Sequence, residues 1–392
     1  MVNIEDLYTV YHLARANKRR SEDAVLFEID CEVRLYKLMT AINERTMRCD
    51  RNYTFVSPYP QPREVFGCEF EARMIHRYVI WRMNPIFERI LSDRTYNNRV
   101  GMGTEAAINN LARDIRSASC GFTRPAYVIK WDLSGCFPNA NCDVAYNIIR
   151  GIIEERYSGE DKEDLLWMAM VSIYAYPQLH YYRKSPIEDW EAIPPRKSLL
   201  NKPPGTGAAL GLMIWQVVMN LYYDEIDHWA VDDMGLLYTR FMDDTAIVTE
   251  NKEAALAMLP LFRDKYARIG SIMHPTKFYC QEVSKGVRFL GSYIKCDRIY
   301  IANRTLRKAK SRIYELNQCT NKLKHLEHFL QTTNSYIGLL KNKNEFKNIV
   351  RIWELVDQGW KEYVDIDWDR LCVTAKDGYG HNEYINFRFR RI

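Results

Sequence analysis

The stretch LLYTRFMDDTAIVTEN, residues 236–251, places two adjacent aspartates inside an otherwise apolar run. Aromatic and β-branched residues favour strands, whereas aspartate is depleted from strands and neighbouring carboxylates repel each other. Turns, by contrast, accept aspartate. The pattern therefore predicts strands at 236–241 and 245–249, with a tight turn that holds Asp243 and Asp244 in solvent at the tip of a hairpin. Taken alone, such a pair is more typical of an ordinary turn than of a functional site.

A third carboxylate changes this interpretation. Asp132 ends the apolar segment YVIKWD, which predicts a strand at 127–132 followed by a turn. If this strand lies beside the hairpin, Asp132 faces Asp243 across the edge of the sheet. Clustered carboxylates resist simultaneous ionisation unless a cation neutralises them, and Mg²⁺ prefers such hard oxygen ligands. Two neighbouring Mg²⁺ ions can activate an attacking oxygen and stabilise a leaving one in phosphoryl transfer.

The bulk composition sets limits on the class of protein. A chain of 392 residues exceeds one ordinary domain, and its 47% hydrophobic content excludes wholesale disorder. The formal net charge of +5 is mild, but residues 304–347 contain ten Lys or Arg against three Glu. This basic C-terminal lobe indicates either an anionic partner or a solvated helix face.

Cysteine usage and hydropathy predict where the protein is found. The ten cysteines form no CxxC pair, so they support neither a zinc site nor a disulfide framework, and they fit a reducing cytosol. The N-terminus is charged throughout and lacks the apolar core of a signal peptide. No stretch approaches the roughly 18 apolar residues of a membrane span. We therefore expect a soluble, cytoplasmic protein without a membrane partner.

Periodicity gives a coarse organisation of the chain. Residues 5–48 predict two helices separated by the basic run Lys18-Arg19-Arg20, and a later helix is expected to break at Pro85. A long Pro/Tyr-rich connection at 176–207 is of the kind that is usually functional, and the terminal EYINFRFRRI alternates like an edge strand. Strands alternating with helices, followed by helices alone, predict an α/β or α+β core and then a helical lobe.

Five ordered segments resemble the palm motifs of reverse transcriptases: VIKWDLSGCF, ALGLMIWQ, YTRFMDDTAIV, HPTKFYC and GVRFLGSYI. Five blocks in the right order are a far stronger signal than any one of them. The chain resembles in particular the prokaryotic enzymes of diversity-generating retroelements and related phage-defence reverse transcriptases. Those share the segments NPIFERILSDRTYNNRVGMGTEAAINNL, KSLL and NSYIGLLKNKNEFK, and VYHLARANKRRS looks like their N-terminal block.

The resemblance implies an α+β fold of the right-hand polymerase type, with fingers, a palm built on an antiparallel sheet, and a helical thumb. Fingers and palm would span residues 1–298, the thumb 299–350 and a C-terminal extension 351–392. It also implies a template RNA, expected to be a dedicated structured non-coding RNA, and a DNA product. An accessory protein or a homo-oligomer is compatible with the sequence.

The resemblance transfers functional roles residue by residue. Asp132, Asp243 and Asp244 match the catalytic aspartates, and with the backbone carbonyl of Leu133 they would bind two Mg²⁺ ions. Phe137 occupies the position of the sugar gate, where a bulky ring excludes a 2′-hydroxyl.

Further residues would contact the substrates. Arginine binds phosphates through charge and forked donors, which suits the position of Arg63 at the incoming triphosphate. The positions matched to nucleotide binding are Arg63, Phe137, Leu210, Gly211, Gln216 and Lys277. Gly291 lies in the segment that would grip the primer end, and the basic thumb would bind nucleic acid through Arg307, Lys308 and Lys310.

The chain departs from the retroelement signature in one motif. In AALGLMIWQ, Ala209 stands where proline is expected and Trp215 replaces a serine. This break favours a role in bacterial anti-phage defence over a diversity-generating retroelement, although both stay open. Leu210 stands where most reverse transcriptases place glutamine, which implies low fidelity. A catalytically silent RNA-binding scaffold and an RNA-templated RNA polymerase are further alternatives, and the bulky Phe137 disfavours the latter.

Overall fold

The computed structural model describes residues 1–16, 21–58 and 61–379. The basic run at 18–20 and the edge strand expected at 383–392 lie outside these residues. The chain divides into two compact units. The first comprises Met1–Ala107 and Ile129–Cys280, and the second comprises Ile108–Val128 and the chain from Gln281 onward. The functional boundaries at 298 and 350 stay predictions.

Helices and strands alternate along the first part of the chain, as the sequence predicts. The helices are α1 (Ile4–Arg15), α2 (Glu22–Ile29), α3 (Cys31–Asn43), α4 (Phe70–Ile90), α5 (Thr104–Ala118), α6 (Cys142–Arg156), α7 (Lys162–Ile173), α8 (Met213–His228), α9 (Lys252–Ala257) and α10 (Leu259–Arg268). The strands are β1 (Asn52–Ser57), β2 (Arg63–Cys68), β3 (Tyr127–Leu133), β4 (Tyr181–Arg183), β5 (Leu237–Phe241), β6 (Asp244–Thr249) and β7 (Met273–Glu282).

The central sheet has the strand order β5-β6-β3-β7. Strands β5 and β6 form the predicted antiparallel hairpin, in which Leu237 pairs with Val248 and Phe241 pairs with Asp244. Strand β3, which carries Asp132, lies directly beside β6. The prediction that this strand adjoins the hairpin is therefore confirmed.

Helix α4 corrects the expected break at Pro85. The helix continues through the proline to Ile90 and buries ten side chains along its length. An internal proline costs a helix about 3 kcal/mol or more. The apolar area buried by α4 offsets that cost, since each fully buried large aliphatic or aromatic side chain contributes about 1.5–3 kcal/mol. The N-terminal region likewise differs from expectation, because it forms three helices rather than two.

A second sheet, with the order β2-β1-β4, lies in the same unit. Its third strand comes from the Pro/Tyr-rich connection, which also contains three short 3₁₀ helices. The buried carboxylate of Glu64 on β2 ties this connection to the sheet. It accepts hydrogen bonds from Trp190 Nε1 at 2.8 Å, Ser198 Oγ at 2.7 Å and the Leu199 N–H at 2.6 Å.

The second unit combines short strands with helices. It contains β8 (Val287–Phe289), β9 (Ser292–Ile294), β10 (Ile299–Ile301), α11 (Asn303–Asn317), α12 (Leu326–Lys341), α13 (Phe346–Leu355), α14 (Gln358–Lys361), β11 (Val364–Asp367) and β12 (Cys372–Ala375). One hydrophobic core runs from Ile301 to Val373, so residues of the predicted thumb and of the C-terminal extension pack together. In the described part of the chain, no helix is both long and apolar enough to cross a membrane.

Candidate active site

The β5–β6 turn consists of Met242 and Asp243, because Phe241 and Asp244 already pair across the hairpin. Met242 adopts a left-handed conformation with φ of +57°. Its N–H donates to Asn97 Oδ1 at 2.9 Å, and its carbonyl accepts from Arg240 Nη1 at 3.3 Å. The turn is therefore held by one side chain of its own hairpin, Arg240, and by one from a distant segment, Asn97.

The two carboxylates of the turn differ in exposure. Asp244 is exposed, as predicted, whereas Asp243 is half-buried. Burial and the nearby charge of Asp132 raise the pKa of Asp243. Although Asp244 keeps an exposed surface, the surrounding protein partly desolvates its carboxylate, and together with the charge of Asp243 this raises its pKa to about 6. Three mutually repelling carboxylates thus lie close enough to influence one another's ionisation.

Cationic side chains oppose this negative charge. Lys277 Nζ lies 2.7 Å from Asp132 Oδ2 in an ion pair. The charges of Arg63 and Lys277 offset part of the rise in the pKa of Asp243, and the charge of Lys130 offsets part of the rise in the pKa of Asp244. The structure therefore gathers two of the predicted nucleotide-binding cations, Arg63 and Lys277, around the predicted catalytic aspartates.

Backbone hydrogen bonds bring the other predicted nucleotide contacts to the same region. The Ala208 N–H donates to the Phe137 carbonyl at 2.7 Å, and the Phe66 N–H donates to the Leu210 carbonyl at 2.7 Å. Segment 207–210 therefore joins the turn after β3 to β2, the strand that begins with Arg63. Phe137 is half-buried and packs against the core.

Gly211 is required by a close approach of two backbones. It has φ of +106°, and a Cβ at this position would lie 2.3 Å from the Phe66 carbonyl oxygen and 2.7 Å from Val65 Cγ1. Only glycine fits there. The close approach observed at Gly211 is to β2, and its predicted role in nucleotide binding stays a prediction.

Gln216 lies elsewhere on α8. It lines a cleft of about 550 Å³ together with Trp81, Asn84 and Asn98, and none of the three aspartates lines this cleft. The predicted nucleotide contact of Gln216 stays a prediction.

The predicted nucleic-acid contacts lie in the second unit. Gly291 has φ of +76° in the turn between β8 and β9. Arg307, Lys308 and Lys310 lie on α11, whose buried side chains are Ala309, Ile313 and Leu316. Their roles stay predictions.

The donor set fits Mg²⁺ in part. Asp132 and Asp243 are hard oxygen donors whose mutual repulsion a divalent cation would relieve, and the Leu133 carbonyl follows Asp132 in the chain. Within the described residues, however, no three His, Cys, Asp or Glu side chains are arranged to hold a metal ion. The three-carboxylate, two-ion site therefore stays a prediction.

Sequence reasoning missed several residues of this region. Lys130 could have been found from strand periodicity, because it lies two residues before Asp132 and so faces the same side of β3. Asn97 and Asn220 gave no local signal, since they lie far from the hairpin in sequence. Arg240 lies on β5 itself, two residues before Met242, but its partner Asp227 comes from α8.

A family model described as reverse transcriptase (RNA-dependent DNA polymerase) matches residues 61–294, which is more than half of the chain. The site and this match define the class: the chain belongs to the reverse transcriptase family, whose members are RNA-directed DNA polymerases and hence nucleotidyltransferases. The predicted α+β fold of right-hand polymerases and the predicted enzyme class are confirmed. No curated protein sequence matches the chain significantly.

Solved structures of telomerase show a distant likeness. Apo telomerase from Candida tropicalis, truncated from its C-terminal domain, has a TM-score of 0.44 and 13% identity, covering 63% of this chain and 54% of that one. Telomerase from Candida albicans, in complex with a fragment of telomeric RNA, has a TM-score of 0.45 and 12% identity, covering 78% and 56%. The chain thus spans little more than half the length of these structures.

Proposed function

We propose that this protein copies a dedicated, structured RNA into DNA, with Asp132 and Asp243 as the principal metal-binding residues. The observation that carries the proposal is the juxtaposition of Asp132 with the β5–β6 turn, with Lys277 and Arg63 beside them. These residues stand in the motifs that resemble the family's catalytic motifs, in the same order along the chain.

The residues of the site suit this chemistry. Mg²⁺ bound by Asp132, Asp243 and the Leu133 carbonyl, with Asp244 nearby, would neutralise charge at the reacting phosphate. Arg63 would bind the triphosphate through charge-assisted hydrogen bonds. Lys277 would exchange its contact with Asp132 for the pyrophosphate leaving group, where a cation stabilises the developing charge. Phe137 would select deoxynucleotides by filling the space under the sugar.

The biological setting is the finer part of the proposal. The broken signature at Ala209 and Trp215 supports bacterial anti-phage defence, in a reducing cytoplasm. Leu210 supports the second candidate, a low-fidelity enzyme of a diversity-generating retroelement, because leucine offers the incoming nucleotide no donor or acceptor. The neighbouring genes distinguish the two. A variable-repeat target gene beside a small helical accessory protein would support the retroelement, and an isolated defence locus would support defence.

The experiment that tests the polymerase is the substitution Asp243→Asn. It removes a charge from the site with little change in shape, so the fold should survive while activity falls by about three orders of magnitude or more. Primer extension on an RNA template with labelled dNTPs measures the loss.

The chain offers a matched control in its other adjacent aspartate pair. Asp233 is exposed at the end of the short helical segment Trp229–Asp233, which follows α8 directly. Asp233→Asn makes the same chemical change away from the site and should leave DNA synthesis unaltered. Undiminished synthesis by Asp243→Asn would overturn the assignment of the catalytic site, whereas a wild type that binds RNA but makes no DNA would favour the RNA-binding scaffold.

A further inference from the structure

The left-handed conformation of Met242 is the starting observation. Left-handed backbone is unfavourable for residues with a Cβ, and methionine has no side-chain group that relieves it. Met242 nevertheless takes φ of +57° at the position directly before Asp243. Something in the surrounding structure must therefore hold this residue.

A buried pair of amide side chains, Asn97 and Asn220, holds Met242 in this conformation. Asn97 is 2% exposed and Asn220 is 1% exposed. Asn97 Oδ1 accepts from the Met242 N–H at 2.9 Å, while Asn97 Nδ2 donates to Asn220 Oδ1 and contacts the Met242 sulfur. Asn220 Nδ2 in turn donates to the Asn97 carbonyl at 2.7 Å. The amide that faces the turn is therefore fixed in orientation by its partner.

A buried ion pair holds the other side of the turn. The guanidinium of Arg240 donates to Asp227 through Nε at 2.7 Å, and both side chains are almost wholly buried. Asp227 also accepts from Tyr238 at 2.7 Å and from Thr95 at 2.7 Å. Thus anchored, Arg240 donates to the Met242 carbonyl. Both polar groups of the Met242 backbone are bound by side chains that have no freedom to reorient.

We propose that Asn97 is a positioning residue for DNA synthesis: together with Asn220 and Arg240 it fixes Met242 in the left-handed conformation and thereby aims the Asp243 carboxylate toward Asp132. The inference rests on the proposed role of Asp243 as a metal ligand. Asn97 contacts Met242 across 145 residues of chain, and Asn220 of α8 holds Asn97 in turn. A fold that needed only a tight turn could place glycine at 242 without any buried polar group.

The test is a double-mutant cycle between Asn97→Ala and Met242→Gly. Asn97→Ala should lower kcat about 30-fold, because a hydrogen bond is lost and the left-handed conformation is no longer compensated. The KM for dNTP should change by less than about twofold, because Asn97 is buried and offers almost no surface to a substrate. Glycine adopts positive φ without strain, so in the Met242→Gly background the same substitution should cost less than about fivefold.

A second readout is independent of DNA synthesis. Mn²⁺ binding, followed by electron paramagnetic resonance, should weaken several-fold in Asn97→Ala and recover in the double variant. Asn52→Ala is the matched control, since Asn52 is another buried amide, 2% exposed, that bonds to Cys49 and His180 and not to the hairpin. It should leave both readouts unchanged.

The outcomes separate the two proposals. If the wild type makes no DNA, the proposed function fails, while the Mn²⁺ readout still tests the positioning role. Additive effects of Asn97→Ala and Met242→Gly, or equal losses in Asn52→Ala, would overturn the positioning role.

If Asn97→Ala does not fold, substitutions of the half-buried turn residue Met242 provide the test. Met242→Val should then lower kcat and Mn²⁺ affinity relative to Met242→Gly, because β-branched residues resist positive φ, and equal values would overturn the inference.

Discussion

Asp243 and Asp244 are neighbours in sequence, yet the structure gives their carboxylates different surroundings. Asp243 belongs to the turn and is influenced by Asp132, Arg63 and Lys277. Asp244 is the first residue of β6 and is influenced by Asp243 and Lys130. Successive residues in extended chain point to opposite sides, so two adjacent aspartates cannot occupy equivalent positions.

Phe137 carries a prediction about sugar selection. Replacing it with alanine should open space beneath the nucleotide and admit ribonucleotides. The measurement is primer extension with rNTPs alone, compared with dNTPs, for the wild type and Phe137→Ala. Because the Phe137 carbonyl, not its ring, holds Ala208, the backbone link to segment 207–210 should survive the substitution. An unchanged discrimination ratio would make Phe137 a packing residue and would place the gate elsewhere.

Asp224 carries a prediction about pH. Burial, with the charge of Asp227, raises its pKa to about 6. An acid whose pKa is raised by folding destabilises the folded state when ionised, so this cost is absent well below the ordinary pKa of 3.8, grows between the two pKa values and is complete above about pH 7. Asp224→Asn keeps an acceptor for the Ser92 N–H and removes the charge. The variant should therefore be more stable than the wild type at pH 7.5, by about 1–2 kcal/mol, and equal to it near about pH 3.

Urea unfolding at the two pH values measures this difference. His228 Nε2 lies 3.7 Å from Asp224, and the loss of that contact limits the gain. A difference that is the same at both pH values would show that Asp224 is not titrating in this range.

At the scale of elements, α4 shows how tertiary packing overrides a local signal. Pro85 predicts a break, but the buried face of the helix extends on both sides of it. The prediction of a hairpin at 236–249 is confirmed, because there the local and tertiary preferences agree: strand propensity, turn residues and burial all favour one structure.

Helix α11 carries the prediction on nucleic-acid binding. Replacing Arg307, Lys308 and Lys310 with glutamine should weaken RNA binding and flatten the slope of log K against log salt by about two, as fewer counterions are released. Filter binding at several salt concentrations measures the slope. The same change in net charge on α10, at Arg263, Lys265 and Arg268, is the control. Equal slopes for the wild type and the α11 variant would mean that this face does not contact nucleic acid.

At the scale of the whole molecule, contacts distant in sequence organise each unit. In the first, α1 contributes Leu7 and Val10 to the large core, and Arg82 of α4 bonds to Asp6 of α1 and to Asp161. In the second, a single core joins the predicted thumb to the predicted C-terminal extension. Neither arrangement has a local sequence signature, because each side chain looks like an ordinary helix residue in its own segment.

The sequence by itself determined the ordered motifs, and with them the family, the β5–β6 hairpin, and the strand that brings Asp132 beside it. These follow from short-range patterns of polarity and residue type, which can be recognised within about a dozen residues. The tertiary structure alone decided that α4 passes through Pro85, that Gln216 lines a cleft with Trp81 and Asn98, and that Asn97 holds the turn. Asn97 and Met242 are 145 residues apart in the chain. A contact at that separation depends on how the whole core packs, and no local pattern encodes it.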